Sequence, residues 1–179
     1  MLDTMYMGTT LRHNELGFAF NANLWKYIKS KEITTLQENV ALVHYGRKGR
    51  GEICKLINIS DFTREQTEEF RSGLINDLET IQPDFCVFYN NQYIVNDRGT
   101  KIAGTPDLIV EIWSESNTDI EKAVKRAIYS ESNTQHWYIT QDSNKIECMN
   151  GTLMDVTRDL RDILVDNHGF EYDLRYLAL

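Results

Sequence analysis

Gly104-Thr105-Pro106-Asp107-Leu108-Ile109-Val110-Glu111-Ile112-Trp113-Ser114-Glu115-Ser116-Asn117-Thr118-Asp119-Ile120-Glu121-Lys122-Ala123-Val124-Lys125-Arg126-Ala127-Ile128-Tyr129 reads as a strand that carries two acids, followed by a helix that carries lysines. From Asp107 to Ile112 the chain is apolar and rich in branched residues except at the acids. An unbroken apolar run of this length suits a strand covered on both faces. Side chains alternate along a strand, so Asp107 and Glu111 are expected on the same face. Two carboxylates converging there repel each other and are costly to desolvate, and a bound cation would relieve both problems.

The following helix is expected to start at a capping box, with Thr118 as N-cap and Glu121 reaching back. Ile120, Ala123, Val124, Ala127 and Ile128 then form one apolar stripe. Lys122, Lys125, Arg126 and Tyr129 lie off it, and taken alone they would solvate the outer face.

A chain of 179 residues is expected to form one domain spanning 1–179 with a single core. The 41% hydrophobic and 26% charged content is ordinary for a soluble globular protein. No apolar run is long enough for a transmembrane helix, and the start lacks a signal-peptide pattern. Cys54, Cys86 and Cys148 have no short spacing, which argues against a zinc knuckle or a disulfide framework. A reduced, cytoplasmic setting is expected. The formal charge of −8 argues against a nucleic-acid partner, but it is uneven: residues 1–60 carry +3 and the remainder −11.

Residues 10–31 have helical spacing through Leu16, Ala19, Phe20, Leu24, Tyr27 and Ile28, with Trp25 widening the stripe. His13 and Glu15 read as surface residues near its start. Residues 38–45 read as a strand, 46–51 as a basic glycine-rich loop that either solvates a turn or touches phosphates, and 52–59 as the returning strand. Residues 61–79 read as a helix whose acids make it a poor surface for nucleic acid. Pro83 to Tyr89 is a second acid-led strand, and Tyr93 to Val95 extends the ladder. His136 to Ile139 and Lys145 to Met149 form a hairpin. Leu153 to Val165 reads as helical or mixed, and Phe170 to Leu179 as an amphipathic tail that could support a homodimer. The order gives an α/β fold with a mixed sheet.

Pro106-Asp107-Leu108-Ile109-Val110-Glu111-Ile112-Trp113-Ser114, then Lys125-Arg126-Ala127-Ile128-Tyr129, then His136-Trp137-Tyr138-Ile139, resembles the Uma-two family. That is a bacterial family of restriction-endonuclease-like proteins within the PD-(D/E)XK nuclease superfamily. Pro83-Asp84 matches the family's other Pro-Asp strand. The match covers roughly residues 80 to 150. Ser114-Glu115 replaces the family's Ser-Pro, Asn133-Thr134 its Gly-Val, and Trp137-Tyr138 its Tyr-Trp. The segment from about 46 to 79 is longer than the family's own.

The resemblance implies a restriction-endonuclease-like core, a mixed central sheet flanked by helices. It also implies a site of Asp84, Asp107, Glu111 and Lys125. The position two after the strand acid is normally lysine in the superfamily and is Trp113 here. Lys125 matches members in which that lysine has moved to the next helix, with Lys122 one turn earlier as the fallback. The implied metal ligands are Asp84, Asp107 and Glu111, for Mg²⁺ or Mn²⁺. Lys125 would orient or deprotonate the attacking water, or neutralise the phosphate. Glu111 could instead form a structural salt bridge with Lys125. Three functions remain open on the sequence. The first is a metal-dependent endonuclease acting on DNA. The second is a nuclease-fold binding module for nucleic acid or protein that has lost catalysis. The third is a hydrolase of another phosphodiester.

Overall fold

The computed structural model describes residues 10–30, 32–37, 41–45, 54–75, 78–90 and 92–179. Its centre is a pair of fully buried strands, β4 (Phe85–Phe88) and β7 (Leu108–Trp113), both built from branched and aromatic residues. They pair antiparallel, with Phe85 opposite Val110 and Val87 opposite Leu108. Around them the described residues form a six-stranded sheet. Its remaining members are β1 (Thr34–Gln37), β8 (Gln135–Thr140), β9 (Lys145–Asn150) and β10 (Leu153–Asp159), in the order β1-β4-β7-β8-β9-β10. β7 and β8 run parallel, so a helix must carry the chain back between them. That helix is α3 (Asp119–Glu131).

Period-2 alternation divides the core. Phe85, Val87, Leu108, Val110, Ile112, Trp137 and Ile139 face α1 (Leu11–Lys29), which buries Leu16, Ala19, Phe20 and Leu24 against them. Cys86, Phe88, Ile109, Trp113 and Tyr138 face the other way, against Ile128 and Tyr129 of α3. A second sheet closes that side. It comprises β2 (Ala41–Tyr45), β3 (Leu78–Ile81), β5 (Ile94–Val95) and β6 (Lys101–Ala103), in the order β3-β2-β6-β5. The link from β6 to β7 passes so close to Tyr93 that a Cβ at Gly104 would lie 2.9 Å from the Gln92 carbonyl.

Several expectations need correction. The helix expected over 61–79 is α2 (Arg64–Ser72), capped by Thr63 and Gln66 and stopped by Gly73 in the left-handed region at φ 76°. Leu74 is exposed, and Leu78 begins β3, which pairs with β2. The segment expected to return as a strand over 52–59 contributes, among its described residues, one bridge between Leu56 and His44. The loop expected over 46–51 lies outside the described residues. Leu153 to Val165 is not helical. After a turn at Gly151 it becomes β10 and then β11 (Ile163–Val165), which pairs with β12 (Glu171–Asp173). The tail is not an open apolar surface, because Tyr172 and Leu174 are buried beside α1. Trp25 does not widen the buried stripe of α1 but faces outward.

The main correction concerns α3. Thr118 caps it by accepting the Glu121 N–H, whereas the Glu121 carboxylate takes a bond from the Asn117 side chain. Of its apolar stripe only Ile128 turns inward: Ile120 is 78% and Val124 51% exposed. Lys125, Ile128 and Tyr129 face the sheet instead. No helix among the described residues is long and apolar enough to cross a membrane.

Candidate active site

Glu111 lies near the C-terminal end of β7, on the face that looks toward α3, and is 1% exposed. A carboxyl at that depth needs donors on both oxygens. α3 supplies them. Lys125 Nζ donates to Glu111 Oε2 at 2.7 Å, and Tyr129 Oη donates to Oε1 at 2.6 Å. Lys125 and Tyr129 are four residues apart, which stacks them on one helix face and lets both reach the same carboxyl. Lys125 also donates to the Gln82 carbonyl at 3.1 Å, which ties α3 to the approach to β4.

Asp84 enters from that approach. It lies just before β4, beyond the Phe85–Val110 pair that ends the ladder, and acts electrostatically on Glu111. Its Oδ2 accepts the Ile112 N–H at 2.6 Å, and its Oδ1 lies 3.2 Å from His13 Nε2. His13 is therefore no surface residue. It is buried in the first turn of α1, behind the Thr10 N-cap. Thr10 in turn donates to the Gln141 side chain at 2.7 Å, and the Gln141 N–H bonds the Trp113 carbonyl. The ends of α1, β4, β7 and β8 thus meet around Asp84 and Glu111.

The electrostatics follow from burial. Desolvation pushes the Glu111 carboxyl up to about 8; Lys125 and Tyr129 oppose this, and Asp84 adds to it. Desolvation pulls the Lys125 ammonium down, but Glu111 and Asp84 outweigh it and the group moves up. Lys125 is therefore held in its charged form. Burial pulls His136, behind Tyr129, down to about 4, so it stays neutral and donates through Nδ1 to the Thr134 carbonyl.

Trp113 lies two residues beyond Glu111 on β7. It stacks on Tyr138 with ring centres 4.3 Å apart, and the Arg126 guanidinium lies 4.6 Å above Trp113 and 4.1 Å above Tyr138. Arg126 also donates to Glu147 at 2.6 Å. Cation–π contacts of this kind contribute about 0.5–2 kcal/mol each. Together they set the rotation of α3 that points Lys125 at Glu111.

Of the four expected site residues, the structure brings together Asp84, Glu111 and Lys125. Asp107 is elsewhere. It lies just before β7 begins, four residues from Glu111, which is about 13 Å at strand rise. There its Oδ2 accepts the Tyr89 N–H at 2.7 Å, and its Oδ1 lies 3.4 Å from His168 Nε2. His168 rests on the Tyr89 ring, and the Tyr89 hydroxyl joins Asp166 and Tyr172 in a buried cluster that fastens the C-terminal segment. Tyr129 and His13 were not singled out as site residues from the sequence. Tyr129 had a signal, its i+4 spacing from Lys125; His13 had none that is local.

Among the described residues, no group of three or more His, Cys, Asp or Glu side chains is placed to hold a metal. Two carboxylates beside a lysine are nevertheless a donor set that suits Mg²⁺, which keeps several waters and takes its remaining oxygen from a phosphate. Asp84 and Glu111 are the residues that could hold it, in exchange for partners they now have.

No family model matches the chain, and no curated protein matches it. Among solved structures, a protein from Anabaena variabilis described as a candidate nuclease belonging to DUF820 is similar in fold. The TM-score is 0.62 at 12% identity, over 96% of this chain and 84% of the other. The mixed sheet flanked by helices is thus a nuclease-like fold.

Proposed function

We propose that the protein is a metal-dependent endonuclease of the Uma-two type, which hydrolyses phosphodiester bonds of DNA at Asp84, Glu111 and Lys125. The observation that carries this is the Lys125–Glu111 contact of 2.7 Å beside Asp84. A lysine, a buried glutamate and a second carboxylate meet there at the ends of two paired strands. Asp84 and Glu111 would hold Mg²⁺ or Mn²⁺. Such an ion polarises the scissile phosphate and lowers the pKa of a bound water.

The chain's own residues do the rest. His13 and the Ile112 N–H hold the Asp84 carboxylate in place. Tyr129 holds Oε1 of Glu111 and so fixes the direction of the other oxygen. Lys125, kept protonated by its two acidic neighbours, is suited to neutralising charge on the phosphate rather than to removing a proton from water. Asp107 has no part in this chemistry. Its bonds to Tyr89 and His168 make it a structural anchor.

The test is Mg²⁺- and Mn²⁺-dependent cleavage of plasmid, single-stranded DNA and RNA, with the wild type beside Glu111→Ala. Cleavage that requires the metal and is lost in the variant supports the proposal. A second function is favoured by the net charge of −8 and by the exposed Glu65, Glu68 and Glu69 of α2. It is a nuclease fold that binds nucleic acid or protein without cutting. Absence of cleavage on every substrate would favour it.

A further inference from the structure

Arg12 is the second residue of α1, and it is poorly placed for stability. A cation in the first turn meets the positive end of the helix dipole, and α1 has no acidic residue there to offset it. The side chain is half-buried. Its Nε donates to the Gln141 carbonyl at 3.4 Å, whereas its Nη2 is buried and has no hydrogen-bond partner. No carboxylate among the described residues pairs with it. A sheltered guanidinium N–H without an acceptor is a cost that the fold itself does not repay.

Its position ties it to the two carboxylates. His13, the next residue, lies 3.2 Å from Asp84. Gln141 directly follows β8, and its N–H bonds the carbonyl of Trp113, two residues beyond Glu111. The Thr10 hydroxyl bonds the Gln141 side chain at 2.7 Å, so the turn that carries Arg12 is fixed against the end of the sheet. In the order β4-β7-β8, the strand that holds Arg12 is two spacings, about 10 Å, from the strand that Asp84 precedes.

We propose that Arg12 binds a backbone phosphate of the nucleic acid near the one held at Asp84 and Glu111. This rests on the nuclease reading above and adds to it a substrate contact outside the reacting centre. About 10 Å is too far for one phosphate and within reach of a nearby one on the same strand, at about 3.4 Å of rise per nucleotide. A phosphate oxygen accepts the N–H that Nη2 leaves unmet, and the guanidinium fork suits two such oxygens. The first turn of α1 then faces negative charge, which its dipole favours.

The other cations of the site are already engaged, Lys125 by Glu111 and Arg126 by Glu147. Glu115 and Asp142 are exposed after the ends of β7 and β8 and repel a phosphate there. Arg12 offsets them. A contact to phosphate rather than to a base strengthens binding and sets register without reading sequence.

Fluorescence anisotropy of a short labelled DNA, duplex and single-stranded, tests this across a salt series, with the wild type beside Arg12→Gln and Arg12→Lys. Ca²⁺ replaces Mg²⁺, because it takes the same oxygen ligands in a looser geometry and lets binding be read apart from cleavage. Arg12→Gln is expected to raise the dissociation constant about tenfold, the loss of one hydrogen bond to a charged group. The slope of affinity against salt, both logarithmic, should also shrink by about 0.9 for duplex or 0.7 for a single strand. Arg12→Lys should restore the slope, since it restores the charge. The melting temperature of Arg12→Gln without DNA should not fall, because a misplaced charge is removed. A folded Arg12→Gln with unchanged affinity and slope overturns the proposal and leaves the nuclease reading standing. So does a slope that Arg12→Lys fails to restore, or a lower melting temperature with the slope unchanged, which would make Arg12 a structural tie to Gln141. A wild type that neither binds nor cuts any substrate overturns the nuclease reading and this contact together.

Discussion

Lys125 reaches Glu111 from a helix rather than from the strand that carries the acid, across 2.7 Å and with 13% of its own side chain exposed. The two are joined by a buried hydrogen bond, and Asp84 lies near enough to act on both, so removing any one of them changes the other two. The pair also explains why α3 turns its polar face inward. An unpartnered Glu111 would cost more than Ile120 and Val124 lose by staying in water.

Lys125→Met keeps most of the length of the side chain and removes the charge. Cleavage is expected to fall by roughly 10²–10³-fold, the range found when one preorganised donor is lost. The fold should persist, because Glu111 can then stay protonated. Rates measured with saturating Mg²⁺, beside a thermal melt, check both statements.

Glu111 also makes stability depend on pH. Its folded pKa is raised from 4.5 to about 8. The stabilisation is therefore fully present below the unfolded value and is lost as pH rises through the folded one. Without metal, the wild type should lose stability between about pH 4.5 and 8 relative to Glu111→Gln, which cannot ionise. Urea denaturation of both proteins across that window measures the difference. Equal slopes would mean that Glu111 does not hold its proton.

Tyr129→Phe removes the donor to Glu111 Oε1 at a buried site. The expected cost is about 1–3 kcal/mol, that of leaving a buried acceptor unmet. Calorimetric titration of Mn²⁺ should show weaker binding as well, because Glu111 loses its fixed orientation. Retained Mn²⁺ affinity would confine Tyr129 to a packing role.

Asp84→Asn and Asp107→Ala should behave in opposite ways. Asp84→Asn is expected to lose metal-dependent cleavage and keep its melting temperature. Asp107→Ala is expected to keep cleavage and lose about 1–2 kcal/mol of stability, because it frees the Tyr89 N–H and the His168 ring. Cleavage lost in Asp107→Ala, with stability unchanged, would return Asp107 to the site.

Local pattern carried much of this fold. The unbroken apolar run from Leu108 to Ile112 determined a strand buried on both faces. Thr118 determined where the next helix begins, and Glu111 inside that run determined that a partner must exist. These features repeat over two to four residues and can be read without knowing what lies across the sheet.

Only the tertiary structure decided three other things. Alternation predicts Asp107 and Glu111 on one face, but Asp107 lies before β7 begins and its carboxylate is taken up by Tyr89 and His168, about 13 Å of strand rise from Glu111. Strand pairing set Asp84 on the Ile112 N–H, next to Glu111, and the packing of α1 set His13 beside Asp84, two contacts between segments far apart in sequence. The rotation of α3 was decided by competition. A hydrophobic stripe and a polar face both sought the sheet, and the buried carboxyl with the Trp113–Tyr138 stack favoured Lys125, Arg126 and Tyr129. Hydrophobic periodicity ranks faces by their affinity for oil, and it cannot register one buried carboxyl whose hydrogen bonds outweigh two exposed aliphatic side chains.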